Sequence, residues 1–319
     1  MSCGEKLEDV TLPATRVPLV TVGLPVRNDV ALVGRSLSSL LAQDYPELEV
    51  VVSDNVSTDG TTDVLRGLAE TDPRVRLIVR DGSPLSVQDN FKSVLSEARG
   101  EFFMWASGDD FWKPRFVSSL VAELEANPKA GLAMSATQCI WDEGGEGELV
   151  RFVGADDPRS KGHGALMRMM VSFKKTNYFI YGLYRTALLR SAIGGLSEVP
   201  APDRVFLVQL ALATRFAYVD EPLYVRTLHR KKYHERRAED AKDVRAGTST
   251  WGVARALAAG VLRSDVVPLS RKPYAVLAAE RQLRKTAVHN VTEFLLPLMK
   301  SLPSPLASWL TSVKRRISP

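Results

Sequence analysis

Two adjacent carboxylates, Asp109 and Asp110, follow the wholly apolar run Phe102-Phe103-Met104-Trp105-Ala106 in the stretch FFMWASGDD. Such a run reads as a fully buried strand. The acidic pair therefore stands at a strand's C-terminal end, where open α/β sheets bind their ligands. Neighbouring carboxylates repel unless a cation, a proton or a hydrogen-bond network compensates them. A hard divalent ion with oxygen ligands, bridging to a diphosphate, is one such compensation; a solvated turn before the next helix is the plainer alternative. A second polar cluster closes VVVSDNVSTDGTTD, where a buried strand runs into Asp54 and a turn of Ser57, Thr58, Asp59 and Gly60. That turn equally suits a helix cap. Asp203, in VPAPDRVFLVQLALA, opens a helical pattern and could also cap it.

These turns need elements to hold them. Leu19-Val20-Thr21-Val22-Gly23-Leu24 predicts a first strand closed by Pro25, and Val33, Leu37, Leu40 and Leu41 give a helical spacing over 30–43. Strands over 48–52 and 75–79 alternate with helices over 61–70 and 87–98. After the strand ending at Ala106, a helix over 114–125 starts on Pro114, a favoured first helical residue. Strands alternating with helices imply βαβ units and a mostly parallel central sheet flanked by helices. Further on, WDEGGEGEL reads as a hairpin or loop, and 178–184 as an aromatic strand. A helix follows over 206–213, then strands over 217–219 and 223–225.

The bulk composition is that of an ordinary globular chain, with 319 residues, 45% hydrophobic and 25% charged, enough for one large domain or two. Cys3 and Cys139 have no ligand-like spacing, and Cys139 sits in an apolar run, so a core thiol in a reducing cytosol fits. There is no signal-peptide hydrophobic region, zinc spacing or internal repeat, and no apolar run nears the roughly 20 residues of a membrane span. Charge is uneven. Residues 231–319 hold 17 Lys plus Arg against 7 Asp plus Glu, a net of +10, which leaves the first 230 at −5. A basic, helical C-terminal region suggests either an anionic contact or a solvated surface. Within it, 294–318 joins Phe294, Leu295, Leu298 and Trp309 to Lys314-Arg315-Arg316. That pattern suits an interfacial membrane helix or a face packed on the body.

Several of these segments, in order, resemble family 2 glycosyltransferases of the GT-A fold, over about 18–230. VTVGLPVRND is similar to the family's opening strand, SLLAQDYPELEVVVSD to its second segment, and DNFKSVLSEARGEFFMWASGDD to the lead into its Asp-x-Asp motif. The resemblance implies that Pro25, Val26, Arg27 and Asp29 lie beside the nucleotide of a nucleotide-sugar donor. It gives Asp54 the nucleotide base, since a carboxylate accepts from an imide-type N–H. Ser107, Gly108 and Asp109 align with the Asp-x-Asp motif, so Asp109 is the expected contact to a divalent metal (Mn²⁺ or Mg²⁺) and the diphosphate. Ser107 stands where the family's first acid is expected, which makes this a one-carboxylate site completed by donor phosphates. Asp110 would face the acceptor or diphosphate. Asp203 aligns with the general base, with Pro202 in place of a preceding acid. In YVRTLHRKKY, the resemblance makes His229 a metal ligand and lets Arg226 or Arg230 offset charge on the leaving group. Trp105, Trp112 and Tyr181 are candidates for the sugar or acceptor pocket, or for the core.

The implied organisation is a leader over 1–17, a GT-A domain over 18–230 and a basic helical region over 231–319. The implied activity is inverting transfer from the donor to a glycan or lipid-linked acceptor in cell-surface polysaccharide or glycolipid synthesis. It would proceed in the cytoplasm or peripherally on the inner face of the membrane, with no nucleic-acid partner and with a homo-oligomer left open. Among alternatives, a template-copying polymerase lacks its second aspartate motif. A dinucleotide-dependent oxidoreductase lacks its glycine turn, because Gly23-Leu24-Pro25-Val26-Arg27-Asn28 is not one. Ser107 and Pro202 motivate one rival: a catalytically degraded binding or scaffold subunit of the same fold.

Overall fold

The computed structural model describes residues 16–154, 157–172, 176–229 and 250–284. Its first half is the expected alternation: β1 (Val20–Val26), α1 (Val33–Leu41), β2 (Leu48–Asp54), α2 (Thr61–Thr71), β3 (Val75–Val79), α3 (Val87–Ser96) and β4 (Phe102–Trp105). β1 pairs in parallel with β2 and β4, and β2 with β3. Helices cover both faces, so Val20, Val22, Leu24, Val50, Val51, Val52, Phe103 and Met104 are fully buried. That is why these strands read as continuous apolar runs and not as alternating ones. Gly23 is needed where α3 crosses β1, because a Cβ there would lie 2.6 Å from the Phe103 ring and 2.7 Å from Val94.

The second half departs from simple alternation. It comprises β5 (Phe111–Trp112), α4 (Phe116–Ala126), β6 (Ala130–Trp141), β7 (Glu146–Val150), α5 (His163–Ser172), a 3₁₀ segment (Thr176–Tyr181) and β8 (Leu183–Arg185). Then come α6 (Thr186–Ala192), α7 (Pro202–Ala213), β9 (Arg215–Leu228), α8 (Thr250–Arg263) and α9 (Tyr274–Arg284). The sheet runs β3-β2-β1-β4-β8-β6-β9-β5, with β7 on β6. β8 is antiparallel to β4 and β6, β5 to β9, and β7 to β6, while β6 and β9 are parallel. The sheet is therefore parallel through β4 and mixed beyond it.

The aromatic run over 178–184 is not one strand. It winds as a 3₁₀ turn to Tyr181 and becomes β8 only after Gly182, whose missing Cβ leaves room for the Ala133 carbonyl. The Tyr184 hydroxyl donates back to the Phe179 and Ile180 carbonyls at 2.9 and 3.1 Å and fixes the turn. The strands expected over 217–219 and 223–225 are one long β9, with register shifts against β6 around Ser135 to Thr137. WDEGGEGEL forms the β6–β7 hairpin: Gly144 N–H donates to the Trp141 carbonyl at 3.0 Å across Asp142 and Glu143, Trp141 N–H donates to the Gly145 carbonyl at 3.1 Å, and Gly144 at φ +93° takes the left-handed position that follows such a turn. Cys139 is a buried core thiol, as its apolar setting suggested. α5 and the two-residue β5 had no counterpart in the sequence reading.

Of the basic region, α8 and α9 are helical and join the main core through Ala254, Leu257, Ala258, Val261, Ala278 and Ala279. Arg271 adds a hydrogen bond to the Leu212 carbonyl at 2.7 Å. No helix among the described residues is long and apolar enough to cross a membrane. Most of the 1–17 leader, Cys3, Arg230 and the 294–318 segment lie outside the described residues.

Candidate active site

The site is assembled where β1, β2 and β4 end. Val26 and Asp54 are in register as the last residues of β1 and β2. The turns that follow are stitched together: Asn28 N–H donates to Ser57 Oγ at 2.9 Å, Thr58 N–H to Asn28 Oδ1 at 2.9 Å, and Asp29 N–H to Thr61 Oγ1 at 2.8 Å. Asp54 is fully buried. It accepts from Ser57 Oγ at 2.5 Å, from Ser57 N–H at 3.2 Å and from the Thr62 hydroxyl, so both carboxylate oxygens hold the turn into α2. Pro25 is half-buried, Val26 buried and Arg27 exposed at the mouth of the site. Gly108 packs so closely on this edge that a Cβ would run into the Asp29 carboxylate.

The two carboxylates after β4 have separate environments. Asp109, with a side chain 18% exposed, accepts from the Ser107 hydroxyl on Oδ1 and meets His229 Nε2 on Oδ2 at 2.8 Å. Burial alone would raise its pKa, but the Ser107 hydrogen bond, the charge of Arg226 and the His229 contact together hold it below the usual carboxylate value. Asp110 is fully buried. It accepts from the Tyr224 hydroxyl at 2.5 Å, from Arg226 Nη1 at 2.8 Å and from Thr227 N–H at 2.8 Å. Burial pushes Asp110 up to about 6 against the pull of Arg226. The Asp109–Asp110 repulsion inferred from sequence is thus relieved by a hydrogen-bond network reaching over from β9.

Arg226 is held a second way, its guanidinium lying 5.6 Å from the ring centres of Tyr178 and Tyr181. From there it reaches a cavity of about 130 Å³ whose lining includes Phe91, Tyr181, Leu196, Pro202, Asp203 and Arg226. Asp203 sits in the first turn of α7, entered through Ala201 at φ +53° and Pro202. A carboxylate there is favoured by the helix N-terminus. Its Oδ1 accepts from Arg204 N–H at 2.8 Å.

Asp109, Asp110, Arg226, His229, Ser107 and Gly108 therefore form one connected cluster, and Asp203 shares a cavity with Arg226. Asp110 faces inward, spent on β9. Trp105 is fully buried among Phe91, Phe103, Tyr184 and Phe206. Trp112 is buried too, stacked on Tyr224 with centroids 5.7 Å apart. Of these three aromatics, Tyr181 lines the cavity and the two tryptophans belong to the core beneath it. Tyr224 and Asp142 were missed. Asp142 follows the apolar β6 just as Asp109 follows β4, so the same strand-end signal could have found it.

Asp109 and His229 offer one hard oxygen donor and one imidazole, with the Ser107 hydroxyl beside them. Among the described residues no group of three or more His, Cys, Asp or Glu side chains is arranged to hold an ion. The donor set fits a Mn²⁺- or Mg²⁺-type ion that takes its other oxygens from phosphates and water, as such ions commonly do.

A family model described as glycosyl transferase family 2 matches residues 21–189. Among curated proteins, the GalNAc(5)-diNAcBac-PP-undecaprenol beta-1,3-glucosyltransferase of Campylobacter jejuni is 26% identical over 129 residues, 40% of each chain. The putative teichuronic acid biosynthesis glycosyltransferase TuaG of Bacillus subtilis is 31% identical over 121 residues, 38% of this chain and 46% of its own. The chain spans about a third of the length of other curated relatives it matches. Among solved structures, S. aureus TarS 1-349 in complex with UDP-GlcNAc superposes with a TM-score of 0.62 at 17% identity, covering 90% of this chain and 82% of that one. The mannosyltransferase PcManGT from Pyrobaculum calidifontis, in complex with GDP-Man and Mn²⁺, gives 0.56 at 22% identity over 94% and 81%. The fold is that of the GT-A glycosyltransferases.

Proposed function

The chain belongs to glycosyl transferase family 2, and we propose that it moves a sugar, with inversion, from a nucleotide-diphosphate donor to a glycan or lipid-linked acceptor in cell-surface polysaccharide or glycolipid synthesis. The observation that carries this reading is one continuous path of groups. Asp203 and Arg226 line one cavity, Arg226 is anchored on Asp110, and the adjoining Asp109 meets His229.

In this reading Pro25, Val26, Arg27, Asp29 and the Asp54 turn hold the nucleoside, and Asp109 with His229 and Ser107 faces the diphosphate. A divalent ion bound by Asp109 and His229 would supply positive charge to the leaving diphosphate. Asp203 accepts the proton of the acceptor hydroxyl, whose oxygen bonds to the anomeric carbon as the bond to the diphosphate oxygen breaks on the opposite face. Arg226 carries its charge to the same cavity, where it offsets charge on the departing group. Phe91, Tyr181 and Leu196 give the cavity an apolar wall against which a sugar ring can lie while water is kept out.

Support comes from the Campylobacter jejuni relative, whose name places it on an undecaprenol-linked glycan, and from the UDP-GlcNAc and GDP-Man/Mn²⁺ complexes of the structural neighbours. Residues 18–230 form the transferase domain in this reading, α8 and α9 pack on it, and 294–318 carries the contact to the inner face of the membrane. The Ser107 substitution favours a second reading, a binding subunit that has lost turnover. A thermal-shift screen of UDP-, GDP- and dTDP-sugars with Mn²⁺, followed by transfer and hydrolysis assays on the stabilising donor, separates the two. One donor should stand out and be turned over. Binding with no turnover under any acceptor condition would establish the subunit reading instead.

A further inference from the structure

The His229 ring is held from both sides. Its Nε2 lies 2.8 Å from Asp109 Oδ2, and its Nδ1 lies 2.9 Å from Asp142 Oδ2. Asp142 comes from a different part of the sheet. It is the residue after β6, and its backbone N–H donates to the Leu228 carbonyl at 3.0 Å, continuing the parallel β6–β9 ladder that ends at the pair Trp141–Leu228. The ladder therefore delivers Asp142 and His229 side by side at the two strand ends. Both side chains are largely covered, 27% and 16% exposed.

We infer that Asp142 is a positioning residue for the cation site: by accepting the Nδ1 proton of His229 it fixes the ring's orientation and leaves Nε2, beside Asp109, as the nitrogen that can give its electron pair to a cation held between the two. A neutral imidazole has one N–H and one acceptor nitrogen, and the partner of one nitrogen decides which is which. With Nδ1–H committed to Asp142, Nε2 is the nitrogen left to bind a cation beside the Asp109 carboxylate. The arrangement matters more here than in a site with two motif carboxylates. Ser107 contributes only a hydroxyl, so the chain relies on His229 for its second strong donor, and the ring must be held ready. Carboxylates placed behind ligating histidines commonly change metal affinity 10- to 100-fold.

The inference rests on the metal-assisted reading above, and the experiment distinguishes failure of the two. Free Mn²⁺ is titrated into the full chain and followed by its electron paramagnetic resonance signal, with and without UDP, for wild type, Asp142→Ala, Asp142→Asn, His229→Ala and the Asp142→Ala/His229→Ala pair. Melting temperature is recorded for each. Asp142→Ala is expected to weaken Mn²⁺ binding about tenfold or more. Asp142→Asn, which can still accept from Nδ1–H, should recover part of that loss, and Asp142→Ala should add little in the His229→Ala background, because Asp142 acts through the ring. UDP binding in EDTA should be the same in wild type, Asp142→Ala and Asp142→Asn. Equal Mn²⁺ affinity of wild type and Asp142→Ala would overturn the inference and leave the metal reading standing. Equal losses from Asp142→Ala with and without His229 would overturn it too, since Asp142 would then act on the ion directly. A wild type that binds no Mn²⁺ with or without UDP would overturn the metal reading and this inference together. Should Asp142→Ala melt much lower than wild type, Asp142→Leu, which keeps the volume but cannot accept from Nδ1–H, carries the comparison: affinity lost at unchanged melting temperature supports positioning, and affinity unchanged refutes it.

Discussion

Asp109 and Asp110 are adjacent in sequence, yet the structure gives them opposite tasks. Asp109 faces Ser107 and His229 at the strand end, where the proposed cation would sit, while Asp110 is buried under Tyr224, Arg226 and Thr227. Removing one member of a buried ion pair leaves the other uncompensated. Asp110→Ala is therefore expected to lower stability by about 3 kcal/mol in urea unfolding and to release Arg226 from its place in the cavity. Asp109→Ala should cost less stability while weakening Mn²⁺ binding, because its side chain keeps 18% exposure where Asp110 is fully buried. Asp203 has a different signature. If it is the base, Asp203→Asn should reduce transfer by about 10³-fold with donor binding nearly unchanged, the size of a lost general base. The structure already sets aside the helix-cap alternative, because Ala201 is the N-cap of α7 and Asp203 lies within the first turn; Asn keeps an Oδ1 that can accept from Arg204 N–H, so near-normal turnover in that variant would leave Asp203 with that structural contact alone.

Among elements, the turns that build the site carry the backbone strain. The non-glycine residues with positive φ among those described are Asn28, Val56 and Ala201. Asn28 follows β1, Val56 follows β2, and Ala201 precedes the α7 turn that carries Asp203. All three thus flank the predicted donor or base residues, where strained backbone tends to collect. Val56, at φ +60°, is β-branched and least suited to that region. Val56→Gly relieves a cost of roughly 1–2 kcal/mol and loses part of it to the freer unfolded chain. The net gain should be up to about 1 kcal/mol, seen as a melting temperature about 2 °C higher. A lower melting temperature would mean that the valine side chain contributes packing worth more than the strain. The β6–β9 ladder is the other decisive element, because a single parallel pairing delivers Asp142, Tyr224, Arg226 and His229 to β4's end.

For the whole molecule, α8 and α9 pack into the same core as the transferase elements, with Ala254, Leu257 and Val261 fully buried. The described part of the basic region is thus structurally continuous with the body. Its proposed membrane contact falls on residues 294–318, outside the described residues. Deleting 294–319 should shift the protein from the membrane pellet to the supernatant on fractionation, and high salt should do the same for the full chain if the basic end binds anionic lipid. Unchanged fractionation would remove the membrane-contact proposal without touching the transferase reading.

The first four strands and their helices were legible from residue order, because burial on both faces forces continuous apolar runs and each crossover helix carries its own 3.6-residue period. So was the acidic strand end at Asp109, and the resemblance carried by motif order led to the family. The second half was less legible, because its pairings join residues far apart in the chain. An aromatic run such as 178–184 says that a segment is buried, and only the space at Gly182 decides that it turns as 3₁₀ before becoming a strand. Likewise, nothing local to Asp110 tells that it faces inward, or local to His229 that its ring lies between two carboxylates. Sequence determined the types of group at the strand ends. Tertiary structure alone decided which of them meet: a hydrogen bond depends on ångström placement, and the β6–β9 register that pairs Trp141 with Leu228 and brings Asp142 to His229, 87 residues on, leaves no trace in either segment by itself.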